Sequence, residues 1–400
     1  MKLDADEVIG GNAKLVRNIN RSGILNIIRE RQPISRIAIS KLTGLNKSTV
    51  SSIVNELLEQ DLIYEEMVQD QNVGRNPILL HLKLGRNFVG AINLDSAKSR
   101  VAIVDIDGTV LCFNELETET ENETKFIGKC AREIRRMQKE YRIDELAGIG
   151  FSIAGIVDPD NELVINAPNI GWKNFKIGQI SRKIFDGVEN LQFENDAKSS
   201  ALAELWFGSG GVTDISDFVF LTVGIGIGTG IVVGKNLLDG YMHAAGEFGH
   251  MTMFPNGEYC ACGNYGCFEA YASDRATVKR YQRLCKNERC AEHITIVIDK
   301  ALAGDILARQ ALEETGNYLG LGIANIIKAV DPEAVVIGGH IVRAWDIIYP
   351  EIQKIVKEHI FFDIKREVKI LPTSLKIRPR LLGAATVALK EIFSDYRITR

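Results

Sequence analysis

The sequence predicts a helical module at the N-terminus, followed by a long α/β region built as two similar lobes. Three observations carry this prediction. Residues 14–60 hold apolar positions at helical spacing, broken by turn residues into separate helices. From residue 88 onward, β-rich apolar runs such as Phe88–Leu94 and Arg100–Ile106 alternate with helical stretches to the end of the chain, the pattern of an α/β architecture. Phe88–Asp107 and Phe218–Gly234 each read as strand, tight loop and strand with helices after them, so two lobes facing a cleft are expected. A chain of 400 residues is long enough for two or three units with cores of their own.

In the first helix, Ile24, Ile27 and Ile28 share a face, and Pro33 stops it. Ser35 caps a second helix, with Ala38 and Leu42 expected to point inward. Thr43-Gly44-Leu45 is the short glycine-containing turn of a helix-turn-helix. Asn46 caps a third helix, whose Val50, Ile53, Val54, Leu57 and Leu58 follow the i, i+3, i+4, i+7, i+8 pattern. Its opposite face carries Lys47, Ser48, Thr49, Ser51, Ser52 and Asn55: short donors and acceptors, one cation and no acid. Such a face enters a major groove and meets phosphates and base edges. With Ser35, Arg36 and Asn46 at the helix starts, these are the expected DNA contacts. Leu62–Tyr64 and Pro77–Leu82 read as strands of a wing, and Arg75 between them is placed to reach a minor groove. Residues 10–57 hold eight cations and two acids, in a chain whose net charge is −4. That local excess of positive charge is the footprint of a phosphate-binding surface.

Composition narrows the classes further. Hydrophobic residues at 46% and charged residues at 25% are ordinary for a globular protein and exclude broad disorder. The segment Met1–Asn12 is acidic and lacks an apolar stretch, unlike a signal peptide. No apolar run reaches the roughly 18–20 residues of a membrane span. A cytoplasmic location without membrane contact is therefore expected. The seven cysteines include three close together, and in a cytoplasmic chain that pattern favours a metal over disulfides.

His250, Cys260, Cys262 and Cys267 form an H-x9-C-x-C-x4-C set. Three thiolates and one imidazole fill a tetrahedral zinc shell, so the expected Zn²⁺ is structural and not hydrolytic.

The 46 residues from Gly224 to Glu269 closely resemble the signature of the ROK family of repressors and sugar kinases. Residues 13–86, with their PISR, TGLNKSTVSS and Gly-Arg-x-Pro stretches, resemble the winged helix of ROK repressors, above all the xylose repressors. The resemblance runs from about residue 13 to about residue 392. It implies a winged helix-turn-helix followed by a two-lobed actin-like (ribonuclease H-like, sugar-kinase type) domain with a sugar in the cleft. The expected boundaries are 1–86 for the DNA-binding domain, 87–205 for the first lobe joined by a C-terminal helix 384–400, and 206–383 for the second lobe with the zinc motif. The resemblance also implies sugar contacts from Asn169, Asn195, Asp196, Glu247, His250 and Glu269. Carboxylates and amides suit sugar hydroxyls, each of which both donates and accepts. In this arrangement His250 holds zinc with one ring nitrogen and offers the other to the sugar.

The kinases of the family need a general base, the position Asp196 occupies, and a D-x-G-G-T phosphate loop. Here that loop reads Asn93-Leu94-Asp95-Ser96-Ala97-Lys98. A carboxylate about 4 Å from a phosphate repels it by ~4 kcal/mol at an effective dielectric near 20. Ile225 stands where a threonine hydroxyl is usual, and Lys198 where the N-D-A-N pattern has asparagine. The expectation is a non-enzyme: a sugar-responsive repressor of carbohydrate-utilisation genes in which Asp196 is a vestigial base. The resemblance favours xylose as effector, with glucose and N-acetylglucosamine as other monosaccharides, and a homodimer or tetramer on a palindromic operator DNA. The rivals are an ATP-dependent sugar kinase carrying a DNA-binding domain and a zinc-responsive regulator.

Overall fold

The computed structural model describes residues 13–67, 78–209, 215–360, 367–375 and 379–394. The N-terminal module consists of α1 (Ala13–Arg31), α2 (Arg36–Thr43), α3 (Lys47–Glu59) and the antiparallel pair β1 (Ile63–Met67) and β2 (Ile78–Leu82). Both predicted caps are made: Ser35 Oγ accepts from Ala38 N at 3.2 Å, and Asn46 Oδ1 from Thr49 N at 2.8 Å. Ile24, Leu25, Ile28, Ile39, Val50, Ile53, Val54 and Leu57 are fully buried between the helices. Leu42 departs from expectation and is 50% exposed. The inward stripe of the short α2 passes through Ile39 and, past the turn, Leu45, which leaves Leu42 on the outer side.

The first lobe contains β3 (Val89–Leu94), β4 (Lys98–Val104), β5 (Val110–Glu117), α4 (Glu123–Tyr141), β6 (Gly148–Ile153), β7 (Ile156–Asp158), β8 (Leu163–Ala167), β9 (Trp172–Phe175), α5 (Ile177–Ile184) and β10 (Leu191–Asn195). After α6 (Asp196–Phe207), the second contains β11 (Phe218–Val223), β12 (Ile227–Val233), β13 (Asn236–Leu237), α7 (Glu269–Ala272), α8 (Asp274–Cys285), α9 (Ile294–Leu302), α10 (Ile306–Val330), β14 (Ala334–Gly338), α11 (Trp345–His359) and β15 (Lys369–Pro372), and α12 (Pro379–Ser394) follows.

The two main sheets have the orders β10-β6-β3-β4-β5 and β15-β14-β11-β12-β13. In each, an antiparallel hairpin is followed by a parallel neighbour to its first strand, so the duplication read from the hairpin loops extends to the whole sheet. β3, β6, β11 and β14 are buried end to end, as strands covered on both faces must be. Two central helices supply much of that cover. α12 packs on β3 and β6, α6 packs on β11 and β12, and the helices pack on each other. The order across the centre is therefore sheet, α12, α6, sheet. Among the described residues, no helix is long and apolar enough to cross a membrane.

Candidate functional site

The third helix of the module presents Lys47, Ser48, Ser52 and Asn55 as exposed residues, with Thr49 and Ser51 half-buried. Several of its expected DNA contacts also have partners within the protein. Ser35 and Asn46 hold the helix caps, and Ser48 Oγ donates to Asn46 Oδ1 at 2.7 Å. Arg36 lies against Glu65 at 2.8 Å and donates to Asn55 Oδ1 at 2.9 Å. Arg17 and Arg21 of α1 are tied to Glu56, so part of the local positive charge is spent inside the module. Lys41 and Lys47 remain exposed, with no ion pair among the described residues. Arg75 lies outside the described residues.

The interlobe cleft gathers Asp196, Glu247, His250 and Glu269. Glu247 feels the charges of His250, Asp196, Lys198 and Glu269 together. Asn195 ends β10 and caps α6: its Oδ1 accepts from Ala197 N and Lys198 N, and its Nδ2 donates to Gly155 O at 2.9 Å. One N–H of Asn195 is left for a ligand. Glu269 Oε2 accepts from Ile227 N at 2.9 Å and so braces the loop Gly224–Gly226. Asn169 is exposed on the turn after β8, and its side chain has no hydrogen-bond partner among the described residues.

The opposite side of the cleft holds residues that the motifs do not mark. Arg380, at the start of α12, lies with Nε 3.1 Å from Asp196 Oδ2 and Nη1 3.0 Å from Asp95 Oδ2, while Nη2 donates to Thr222 Oγ1 at 3.1 Å. Asp274 completes the group: its Oδ1 is buried without a partner, and burial pushes its carboxyl up to about 7 against the pull of Arg380. Burial likewise raises Asp196, with Arg380 the largest opposing influence. One signal in the sequence could have found Arg380. A cation in the first turn of a helix opposes the helix dipole, so an arginine directly after Pro379 needs carboxylates elsewhere. Asp95 is thus a paired charge and not the bare carboxylate that the loop sequence implies. Asn93, beside it, is buried and donates to Ser152 O at 3.4 Å.

Lys198, the departure from the family pattern, also has a structural task. Its Nζ crosses from α6 to donate to Asp239 O and His243 O, both at 3.1 Å. His243 in turn lies 3.5 Å from Asp158 on the end of β7.

The four predicted metal ligands come together: one ligand atom from each of His250, Cys260, Cys262 and Cys267 lies within 4.8 Å of all the others. Cys260 Sγ is 3.7 Å from His250 Nδ1, and Cys262 Sγ is 3.7 Å from Cys267 Sγ. A tetrahedral zinc site with bonds of about 2.3 Å has edges of about 3.8 Å, so the donors fit that ion in type and spacing. Nδ1 of His250 faces the thiols, and Nε2 faces Glu247 Oε2 at 4.0 Å. Gly266 makes the fold of this loop feasible. Its φ is +74°, and a Cβ there would sit 1.6 Å from Phe254 O.

Residues 89–391 match the ROK family, and residues 17–64 match a winged helix-turn-helix DNA-binding domain. The chain is 30% identical over 380 residues to the xylose repressor of Bacillus spizizenii, covering 94% of this chain and 96% of the relative. Among solved structures it is similar to a ROK family transcriptional regulator, a homolog of E. coli MLC protein, with a TM-score of 0.82, 27% identity and coverage of 95% of this chain and 97% of the other. A ROK family glucokinase from Streptomyces griseus, solved with glucose and AMPPNP, matches with a TM-score of 0.67 and 25% identity, covering 76% of this chain and all of the other.

Proposed function

The chain belongs to the ROK family, and from that premise we propose that it is a DNA-binding repressor that responds to a monosaccharide, xylose, without phosphorylating it. The carrying observation is Arg380. Its guanidinium sits among Asp95, Asp196 and Thr222, and Asp95 belongs to the loop that resembles the phosphate loop of the family's kinases. Asp196 is held at 3.1 Å by that cation and so is engaged in an ion pair where a kinase would need a free general base. The carboxylates and imidazole on the other side remain suited to sugar hydroxyls.

In this reading Asn169, Asn195, Asp196, Glu247, His250 and Glu269 contact the sugar. Zn²⁺ held by His250, Cys260, Cys262 and Cys267 would fix the loop that carries Glu247 and His250, the logic of an outer-shell support. Lys47, Ser48, Thr49, Ser51, Ser52 and Asn55, with Ser35, Arg36, Asn46 and Arg75, read the operator from a symmetric oligomer. The units divide at 1–86, 87–205 with the C-terminal helix, and 206–383. The likeness to a xylose repressor supports xylose, and glucose and N-acetylglucosamine are the alternatives to test.

Calorimetric titration of D-xylose into the zinc-loaded protein, with no nucleotide present, tests this reading. One-site binding is expected. Failure of D-xylose, D-glucose and N-acetylglucosamine alike to bind would overturn it. The rival kinase predicts ADP release with one of these sugars, abolished by Asp196→Asn.

A further inference from the structure

We propose that α6 and α12 form a lever between the cleft and the DNA-reading module. The Asp196–Arg380 pair is its input, and Arg29, clasped by Trp206 and Phe393, is its output. The proposal rests on the sugar-responsive reading above and states how the response would travel.

Both helices begin in the cleft and end on the module. α6 starts with Asp196 and carries Trp206 in its last turn; α12 carries Arg380 at its start and Phe393 at its end. At 1.5 Å per residue the two paths are about 15 and 20 Å long. At the far end the Arg29 guanidinium lies 4.2 Å from the Trp206 ring centroid and 5.8 Å from that of Phe393. The two rings meet edge to face at 5.3 Å. Arg29 also donates to Trp206 O at 3.3 Å, Asn26 donates to Phe393 O at 3.3 Å, and Ser22 Oγ donates to Ser394 O. A guanidinium removed from water over an indole face is a strong hold.

The clasp is firmly joined to the recognition helix. Ile24, Leu25 and Ile28 of α1 share one buried cluster with Val50 and Ile53 of α3 and with Leu389 and Phe393 of α12. Arg17 bridges α1 to Glu56 of α3 at 2.7 Å. A shift at the clasp therefore tilts the module as a body.

The two helices are in close contact but are backed by different lobes. α12 is backed by the first sheet and α6 by the second, so any rotation of one lobe against the other displaces one helix along its neighbour. Their contact is lined with small residues, and a Cβ on Gly383 would lie 2.6 Å from Ser199 C and O. At the output the clasp borders a cavity of about 800 Å³ lined by Arg29, Trp206, Phe393 and Lys390, which leaves room for it to open. At the input, a sugar hydroxyl donating to Asp196 competes with Arg380 for the same carboxylate. The sugar then favours the arrangement in which Arg380 has moved, which is the differential affinity a switch requires.

The test uses the full chain and a duplex enriched by this protein from a random library. Two quantities are measured: the D-xylose affinity of the DNA-free protein, and the factor by which saturating D-xylose changes duplex affinity. D-glucose or N-acetylglucosamine replaces xylose if it is the sugar that binds. The wild-type factor is expected to be about tenfold or more. In Arg29→Ala, sugar affinity should stay within about twofold and the factor should fall below about threefold. Phe393→Leu, which keeps an apolar side chain at the clasp, should give an intermediate factor and guards against misfolding of the first variant. Both variants keeping the wild-type factor would overturn the lever while leaving the sugar response intact. A wild-type protein that binds sugar but shows no change in duplex affinity would overturn the sugar-responsive reading, and the lever with it.

Discussion

Arg380 and Asp196 meet across the cleft, with Nε 3.1 Å from Oδ2, and join the starts of the two central helices. The same guanidinium reaches Asp95 and Thr222, and its charge also acts on Asp274. One cation thus stabilises three carboxylates in a half-closed space. Removing it leaves uncompensated buried charge, whereas removing one acid does not. Arg380→Met is expected to destabilise the protein by about 3–5 kcal/mol. Asp196→Asn, whose amide oxygen still accepts from Arg380, should cost much less. Denaturant unfolding of both variants checks this, and equal stability of Arg380→Met and wild type would refute the arrangement.

The metal cluster gives a second prediction. Cys262 is the exposed ligand, so Cys262→Ser leaves no core cavity. The variant should fold and lose its zinc. Because the loop then no longer fixes Glu247 and His250, sugar affinity should fall about 10- to 100-fold. Metal analysis and calorimetry on the same sample are the measurements; unchanged sugar affinity in a zinc-free variant would separate the metal from the sugar site.

Lys47 stands exposed at the first position of α3. As a phosphate contact it should contribute affinity without sequence preference. Lys47→Ala is expected to weaken binding to all duplexes about equally and to lower the slope of log affinity against log salt by about 1. A change confined to one base position would assign it to base readout instead.

Glu194 is buried just before Asn195, with Lys198, Asp239 and Lys390 as its charged surroundings, and burial pushes its carboxyl up to about 7. The folded state therefore keeps a proton that the unfolded chain loses near pH 4.5. Its contribution is fully present below pH 4.5 and is lost as pH rises through about 7, a change on the order of 3 kcal/mol. Glu194→Gln, which keeps the acceptor for Asn195 N, should flatten part of this slope and be more stable than wild type at pH 8. Asp274, raised in the same way, maintains the remainder. Unfolding midpoints at pH 5 and pH 8 that fall in parallel for both proteins would contradict the assignment.

How far the sequence could be read depended on the range of each interaction. The caps at Ser35 and Asn46, the turn at Gly44 and the stripe from Val50 to Leu57 are local, and they stand in the structure where spacing put them. The metal cluster was legible because its donors lie within 18 residues and only a few ions take that set. The paired hairpins gave away the duplicated sheets. The partners of Arg380 were hidden because Asp95, Asp196 and Thr222 lie far away in the chain, and no period or motif links them to it. The positive charge of the three helices is partly matched for the same reason: Arg36 pairs with Glu65 on β1, outside them. Leu42 faced outward because a two-turn helix leaves little room to define an inner face from its own residues.

The central claim is that a sugar in the cleft controls DNA affinity with no nucleotide involved. The most direct test is the affinity of the zinc-loaded protein for its selected duplex, at one fixed salt concentration, with and without saturating D-xylose, D-glucose or N-acetylglucosamine. The account predicts that one sugar, with xylose first in order, weakens duplex binding about tenfold or more, and that bound duplex weakens sugar binding by the same factor. Duplex affinity indifferent to all three sugars, or responsive only when ATP is added, would contradict it.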